Sequence, residues 1–180
     1  RQGMARVHLD YNEFGELATS VAKRLNDLGV KAGERVARIL DNSVEWAALS
    51  YGANAIGAAY TAMYTHQHGG EWVYILNDST PAILAVAGVE TLDKLVDNLG
   101  EDAAAYPPCG IILLGDEEAN KLPPEGVAVH KWSEFVAAGR SSENEFTIAD
   151  DPFALNTLIY TSGTTGNPKG VMLTNWNTLS

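Results

Sequence analysis

The spacing of apolar positions switches repeatedly along this chain, from a three-to-four-residue rhythm to short continuous runs and back. Phe14, Leu17, Val21, Leu25 and Leu28 recur at helical spacing behind Asp10 and Glu13, a D-x-x-E variant of the capping box. They predict an amphipathic helix that stops at Gly29. Residues 35–40 follow as a short, mostly apolar strand, and Asn42 with Glu45 three residues on is expected to cap a second helix through Trp46, Leu49 and Ile56 to Gly57. Residues 58–64 read as strand, 71–76 as a short helix, 82–87 as a buried strand, 91–99 as helix and 110–114 as strand. Helices alternating with short apolar strands predict an α/β domain whose largely parallel sheet is covered on both faces.

Two stretches rich in Pro, Gly, Ser and acidic residues, 115–126 and 139–152, read as surface connections, and neither demands a domain boundary. No internal repeat or low-complexity tract interrupts the pattern. The last clear strand, residues 155–161, runs directly into Ser162-Gly163-Thr164-Thr165-Gly166-Asn167-Pro168-Lys169-Gly170.

Composition narrows the classes. The 46% apolar content of 180 residues is that of a globular protein with a real core. The longest apolar stretches, 81–89 and 110–114, fall far short of the roughly 18 to 20 residues that span a membrane. Residues 1–10 contain no apolar signal core, though a chain opening on Arg1 leaves targeting open. A cytoplasmic location is expected. Twelve basic and 23 acidic residues give a net charge of −11, which opposes general binding of nucleic acid or anionic lipid, so any phosphate site must be local. The single Cys109 excludes an internal disulfide and a cysteine zinc cluster, and is read as a buried or loop thiol.

The run after residue 161 has the ingredients of such a local site. Gly163, Gly166 and Gly170 allow backbone conformations closed to other residues and let main-chain N–H groups approach an anion. The hydroxyls of Thr161, Ser162, Thr164 and Thr165 can donate to phosphate oxygens or accept a magnesium ion, and Lys169 offers a compact positive charge. The run is not a Walker A loop, because Pro168 stands where G-x-x-x-x-G-K-[ST], counted from Gly163, requires glycine. Nor does it contain the dinucleotide pattern G-x-G-x-x-G, which removes the main support for NAD binding.

At these residues a resemblance becomes specific. Leu158-Ile159-Tyr160-Thr161-Ser162-Gly163-Thr164-Thr165-Gly166-Asn167-Pro168-Lys169-Gly170 resembles, without gaps, the AMP-binding signature of the adenylate-forming superfamily. That superfamily includes acyl-CoA synthetases, firefly-type luciferases and nonribosomal peptide adenylation domains. Residues 11–17, Gly29-Val30 with Gly33-Glu34-Arg35-Val36, and Asn42 with Glu45-Trp46 are similar to its usual amino-terminal run. Gly57-Ala58 with Tyr60, Met63-Tyr64 and Glu71-Trp72-Val73-Tyr74-Ile75-Leu76-Asn77-Asp78-Ser79 look most like the long-chain fatty acyl-CoA synthetases. One departure follows the loop: Leu173-Thr174 is often continued by His, whereas this chain has Asn175, read as a helix cap without a catalytic role.

The resemblance implies that residues 1–180 are the amino-terminal part of an AMP-binding domain in a fatty acid–CoA ligase. ATP, magnesium and coenzyme A would serve as nucleotide, cofactor and acyl acceptor, with a long-chain fatty acid as substrate and medium-chain or aryl acids as alternatives. It assigns catalytic roles to Lys169 and Thr161, nucleotide binding to Thr161, Ser162, Gly163, Thr164, Thr165, Gly166 and Lys169, and the magnesium ion to Thr161. Peripheral membrane contact and a homodimer are compatible with it. Adenine, ribose and coenzyme A sites, together with a second lysine in a small carboxy-terminal domain, are expected beyond Ser180, so this polypeptide alone is expected to be inactive. The alternatives are a non-catalytic nucleotide-binding or interaction domain that keeps the loop, or another adenylate-forming enzyme that activates aryl or amino acids.

The remaining candidates have blander readings. His66 and His68 could share a strand face but lack a third zinc ligand, and a polar loop accounts for them. His8 and His130 are isolated. Trp46, Trp72 and Trp132 sit in helical patterns and are read as core anchors rather than stacking platforms for bases.

Overall fold

The computed structural model describes residues 9–115, 117–161 and 167–179. Chain order is α1 (Tyr11–Asp27), β1 (Arg35–Ile39), α2 (Val44–Ala55), β2 (Ala59–Met63), α3 (Gly69–Ser79), β3 (Ile83–Val86) and α4 (Val89–Leu99). It continues through β4 (Ile111–Leu113), β5 (Val129–Lys131), α5 (Trp132–Ser141), β6 (Leu155–Thr161), β7 (Lys169–Thr174) and α6 (Asn175–Leu179). Among the described residues one seven-stranded sheet runs in the order β5-β4-β3-β1-β2-β6-β7. Every neighbouring pair is parallel except β6–β7, a closing antiparallel hairpin.

Local chemistry sets the helix ends. At α1 the Asp10 carboxylate accepts from the N–H groups of Asn12 and Glu13, while Glu13 accepts from the Asp10 N–H at 2.8 Å, completing the expected capping box. At its other end Gly29, at φ 88°, donates to Asn26 O and Val30 donates to Leu25 O, a Schellman closure that needs a left-handed residue. The α2 cap is Ser43 rather than Asn42: its hydroxyl accepts from the Trp46 N–H at 3.1 Å. Likewise Asn175 is not the cap of α6, since the Thr174 hydroxyl accepts from the Asn177 N–H while Asn175 donates to Asp151 O.

Period-2 alternation splits the strands between two cores. Val36, Ile83, Ala85 and Ile112 pack under α1, α2 and α5 with Val21, Leu25, Leu49 and Phe135. Ala37, Ile39, Leu84, Val86, Ile111 and Leu113 pack under α3 and α4 with Trp72, Ile75, Leu92 and Leu95. The sheet is therefore covered on both faces, as the sequence pattern requires. Helices of the first layer cross closely where they carry glycine. A Cβ at Gly139 would lie 1.9 Å from the Ser20 carbonyl oxygen, so α1 and α5 meet backbone to backbone. Gly139 is thus a buried residue inside α5, not the start of a surface connection.

Trp72 is fully buried and donates from its indole N–H to Tyr64 O at 3.1 Å. Trp46 and Trp132 are half-buried against the first core, so all three tryptophans anchor packing.

Candidate functional site

β6 joins the sheet beside β2 in the register Tyr60↔Thr157, Thr61↔Leu158 and Ala62↔Ile159. It delivers Thr161 to the carboxyl end of the parallel strands, where loops gather and ligands of open α/β sheets bind. β7 returns antiparallel with Thr161 paired to Lys169. The hydroxyl and the ammonium residue singled out by the sequence therefore stand opposite each other at the mouth of one hairpin, both exposed. The ion pairs among the described residues are Lys121–Asp97 and Lys131–Glu118, and Lys169 belongs to neither. Ser162, Gly163, Thr164, Thr165 and Gly166 lie outside the described residues.

Two flanking residues have roles the motif alone does not reveal. The Tyr160 hydroxyl donates to Asp78 Oδ2 at 2.6 Å, tying β6 to the last turn of α3. Burial first, then the Asp78 hydrogen bond and charge, push the Tyr160 phenol well above its ordinary value, so it stays a donor. Opposite it, Gly170 is extended backbone rather than a left-handed turn. A Cβ there would sit 3.1 Å from Tyr160 Cζ and 3.2 Å from its hydroxyl, so Gly170 provides room for the ring rather than the unusual backbone expected of it.

Neighbouring turns at this end are braced. Thr65 donates to Asp41 Oδ1 at 2.9 Å, linking the segments after β1 and β2, and Tyr64 stacks on His66. His68 Nδ1 accepts from the Gly70 N–H and caps α3. Both histidines thus serve local structure, and among the described residues no group of three or more His, Cys, Asp or Glu could hold a metal. Thr161 brings an exposed side chain with a hydroxyl to this end of the sheet. An exposed hydroxyl beside an ammonium that no described carboxylate neutralises suits a metal-bound polyphosphate.

Arg38, in register with Ala62 and through it with Ile159, escaped the sequence reading, which treated its strand as mostly apolar. It is 1% exposed. Its guanidinium carbon sits 3.8 Å from the Trp46 ring centroid and 4.3 Å from that of Tyr60, and Nη1 donates to Trp46 O and to Ser50 Oγ. Nε and Nη2 have no hydrogen-bond partner. Desolvation, opposed by Tyr60, pulls its pKa down to about 10. Cys109 is half-buried and donates to Leu28 O at 3.3 Å, and burial together with Glu34 pushes its thiol up, which suits a packed thiol and not a nucleophile.

The fold is an α/β domain with a largely parallel sheet, and Thr161 and Lys169 stand exposed and opposite each other at the carboxyl end of that sheet. Residues 4–180 match the AMP-binding enzyme family, and the chain belongs to it. Over 96% of its length it is 31% identical to a chloroplastic long-chain-fatty-acid–[acyl-carrier-protein] ligase of Arabidopsis thaliana, and covers 25% of that protein. It is also 31% identical, over 94% of its length, to a human long-chain-fatty-acid–CoA ligase, covering 23% of it. Thus the chain spans about a quarter of the length of the curated relatives it matches. Among solved structures, 94% of the chain superposes on 28% of the adenylation domain of a Mycobacterium chelonae carboxylate reductase, with TM-score 0.76 and 25% identity. The same share superposes on 30% of a Mycobacterium tuberculosis fatty acyl CoA synthetase, with TM-score 0.69 and 26% identity.

Proposed function

We propose that this chain is the amino-terminal part of the AMP-binding domain of an ATP-dependent ligase that activates a long-chain fatty acid. The observation that carries the reading is the pairing of Thr161 with Lys169 at the mouth of the β6–β7 hairpin. A carboxylate is a poor electrophile because its charge and resonance oppose attack, so a thiol cannot add until an oxygen becomes part of a good leaving group. In the proposed reaction the fatty carboxylate attacks the α-phosphorus of ATP, an acyl C–O–P linkage forms and pyrophosphate departs. The thiol of coenzyme A then attacks the acyl carbon, a thioester forms and AMP leaves.

Lys169, with the residues of 162–166, would hold the terminal phosphates in line for displacement, a positioning and electrostatic task. Thr161 would hold magnesium, which when bound neutralises phosphate charge. Its similarity to long-chain fatty-acid ligases supports a long-chain substrate, and supports either coenzyme A or an acyl-carrier protein as acceptor. The 180-residue chain alone, a quarter of its relatives' length, is proposed to be inactive.

The test is ATP–pyrophosphate exchange by the full reading frame across a panel of acids, beside Lys169→Ala. One preorganised donor to developing charge is worth roughly 3 to 4 kcal/mol, so exchange in the variant should drop about a hundredfold or more. Exchange confined to long-chain acids and lost in the variant supports the proposal. Exchange with no acid in the panel, or exchange that Lys169→Ala leaves intact, refutes it.

No helix among the described residues is long and apolar enough to cross a membrane.

A further inference from the structure

The sheet holds the phosphate hairpin less firmly at its mouth than at its base. The β2–β6 pairing ends at Ala62↔Ile159, two residues before Thr161, and β7 is the edge strand of the sheet. Beyond Ile159 the described backbone has the β6–β7 pairing Tyr160↔Gly170 and Thr161↔Lys169. A hydrogen bond from the rest of the fold also reaches this stretch, from the Tyr160 hydroxyl to Asp78 on α3, 82 residues away in sequence.

Asp78 is poorly placed for its own helix. A carboxylate in the last turn of α3 faces the negative end of the helix dipole, and no basic residue shares that turn. Its interaction with Tyr160 is favourable on other grounds: an ionised acceptor and a neutral phenol form a short charge-assisted bond. Gly170 completes the arrangement, because any side chain there would press on the ring that carries the hydroxyl.

We infer that Asp78 is a positioning residue for the nucleotide site: acting through Tyr160, it fixes the hairpin mouth and so where Thr161 and Lys169 meet the polyphosphate of a nucleoside triphosphate. The inference rests on the proposed function. It assigns a role to a side chain on the opposite helical layer from α2, outside the signature run itself.

The test uses Tyr160→Phe, Asp78→Ala, their combination and Asp78→Asn in the full reading frame, measuring KM for ATP and kcat in pyrophosphate exchange together with the melting temperature. Tyr160→Phe keeps the half-buried ring, and Asp78→Ala removes an unfavourable helix-end charge, so both variants should melt close to the parent. Each should raise KM for ATP about tenfold, the low end for an exposed bond to a charged group. The double variant should match either single one, because both remove the same contact. Asp78→Asn, which keeps a neutral acceptor, should recover part of the loss. Unchanged KM in both single variants, or effects that multiply in the double variant, would overturn the inference while leaving the ligase reading intact. A parent protein without exchange would instead sink the ligase reading and this inference with it.

Discussion

Gly139→Ala isolates the closest approach between two helices of the first layer. The added Cβ would fall 1.9 Å from Ser20 O, 2.8 Å from its carbonyl carbon and 3.2 Å from Arg24 Cβ. An ordinary carbon–oxygen contact is about 3.3 Å, so the backbones must separate by more than 1 Å. No rotamer change can relieve the clash, because the nearest atoms belong to the main chain of α1. Separation would draw Phe135 and Val136 off Val21 and Leu25, all of which are buried in one core. Overpacking typically costs 1 to 3 kcal/mol, and a backbone clash belongs at the upper end. Against that, alanine is better than glycine within a helix by about 1 kcal/mol, leaving a net loss of about 2 kcal/mol. For a chain of this size that corresponds to a melting temperature lower by roughly 4 to 8 °C. Thermal unfolding followed by circular dichroism reads the shift directly. Gly15→Ala in α1 is the control, since its Cβ meets nothing within 4 Å and the same helix preference should raise stability by up to about 1 kcal/mol. A Gly139→Ala protein that melts at or above the parent, with Gly15→Ala behaving as expected, would refute the backbone-contact argument.

Three further outcomes follow from the local geometry. Asp10→Ala removes two accepted N–H bonds at the start of α1 and should lower stability by about 1 kcal/mol in urea unfolding, whereas Asp10→Asn should retain most of it. Burial holds the His130 imidazole below its ordinary value, a depression opposed by its hydrogen bond to Cys109 O, so the unfolded chain takes the proton first. That contribution is complete above about pH 6.5 and is lost as pH falls through the folded value, so His130→Gln should flatten the acid limb of stability measured between pH 7.5 and 5.5. Arg38→Met removes a desolvated cation together with its hydrogen bonds and should stay within about 1 kcal/mol of the parent, while Arg38→Ala leaves a cavity and should lose about 3 kcal/mol by chemical denaturation.

What could be read from the chain beforehand depended on how local its cause was. α1 was legible because its cap, its apolar stripe and its Schellman glycine all lie within 21 residues and agree. The two-faced sheet followed from strands that are apolar at every position, as β3 is. β5 was not assigned as an element, and α5 was read only as a helical pattern around Trp132, without bounds. β5 is three half-buried residues, and α5 starts at Trp132 behind Lys131, an N-cap residue that makes no side-chain cap hydrogen bond, so neither carries a start signal. Gly139 was read as the start of a surface connection from the composition of 139–152, but a contact with Ser20, far away in sequence, decided its place. Asn42 was expected to cap α2, but the cap is the next residue, Ser43, which takes the extended backbone and accepts from the Trp46 N–H.

The candidate site divides along the same line. The signature run marked Thr161 and Lys169, and the fold sets them opposite each other across a hairpin. The antiparallel return of β7 was hidden, because its residues are mostly exposed and lack the alternation that betrays a strand. Asp78 was hidden more deeply: it sits in a helical run, and nothing local links it to Tyr160. Arg38 left only an anomaly, one charge in an apolar strand. Its neighbours are set by register and layer, since β1 lies beside β2 and places Arg38 between Tyr60 and the α2 residue Trp46. A motif therefore names the groups that meet a ligand, while the groups that aim them come from distant segments and need coordinates. Positioning residues such as Asp78 are for that reason the ones sequence reasoning will systematically miss in a fold whose strand order departs from chain order.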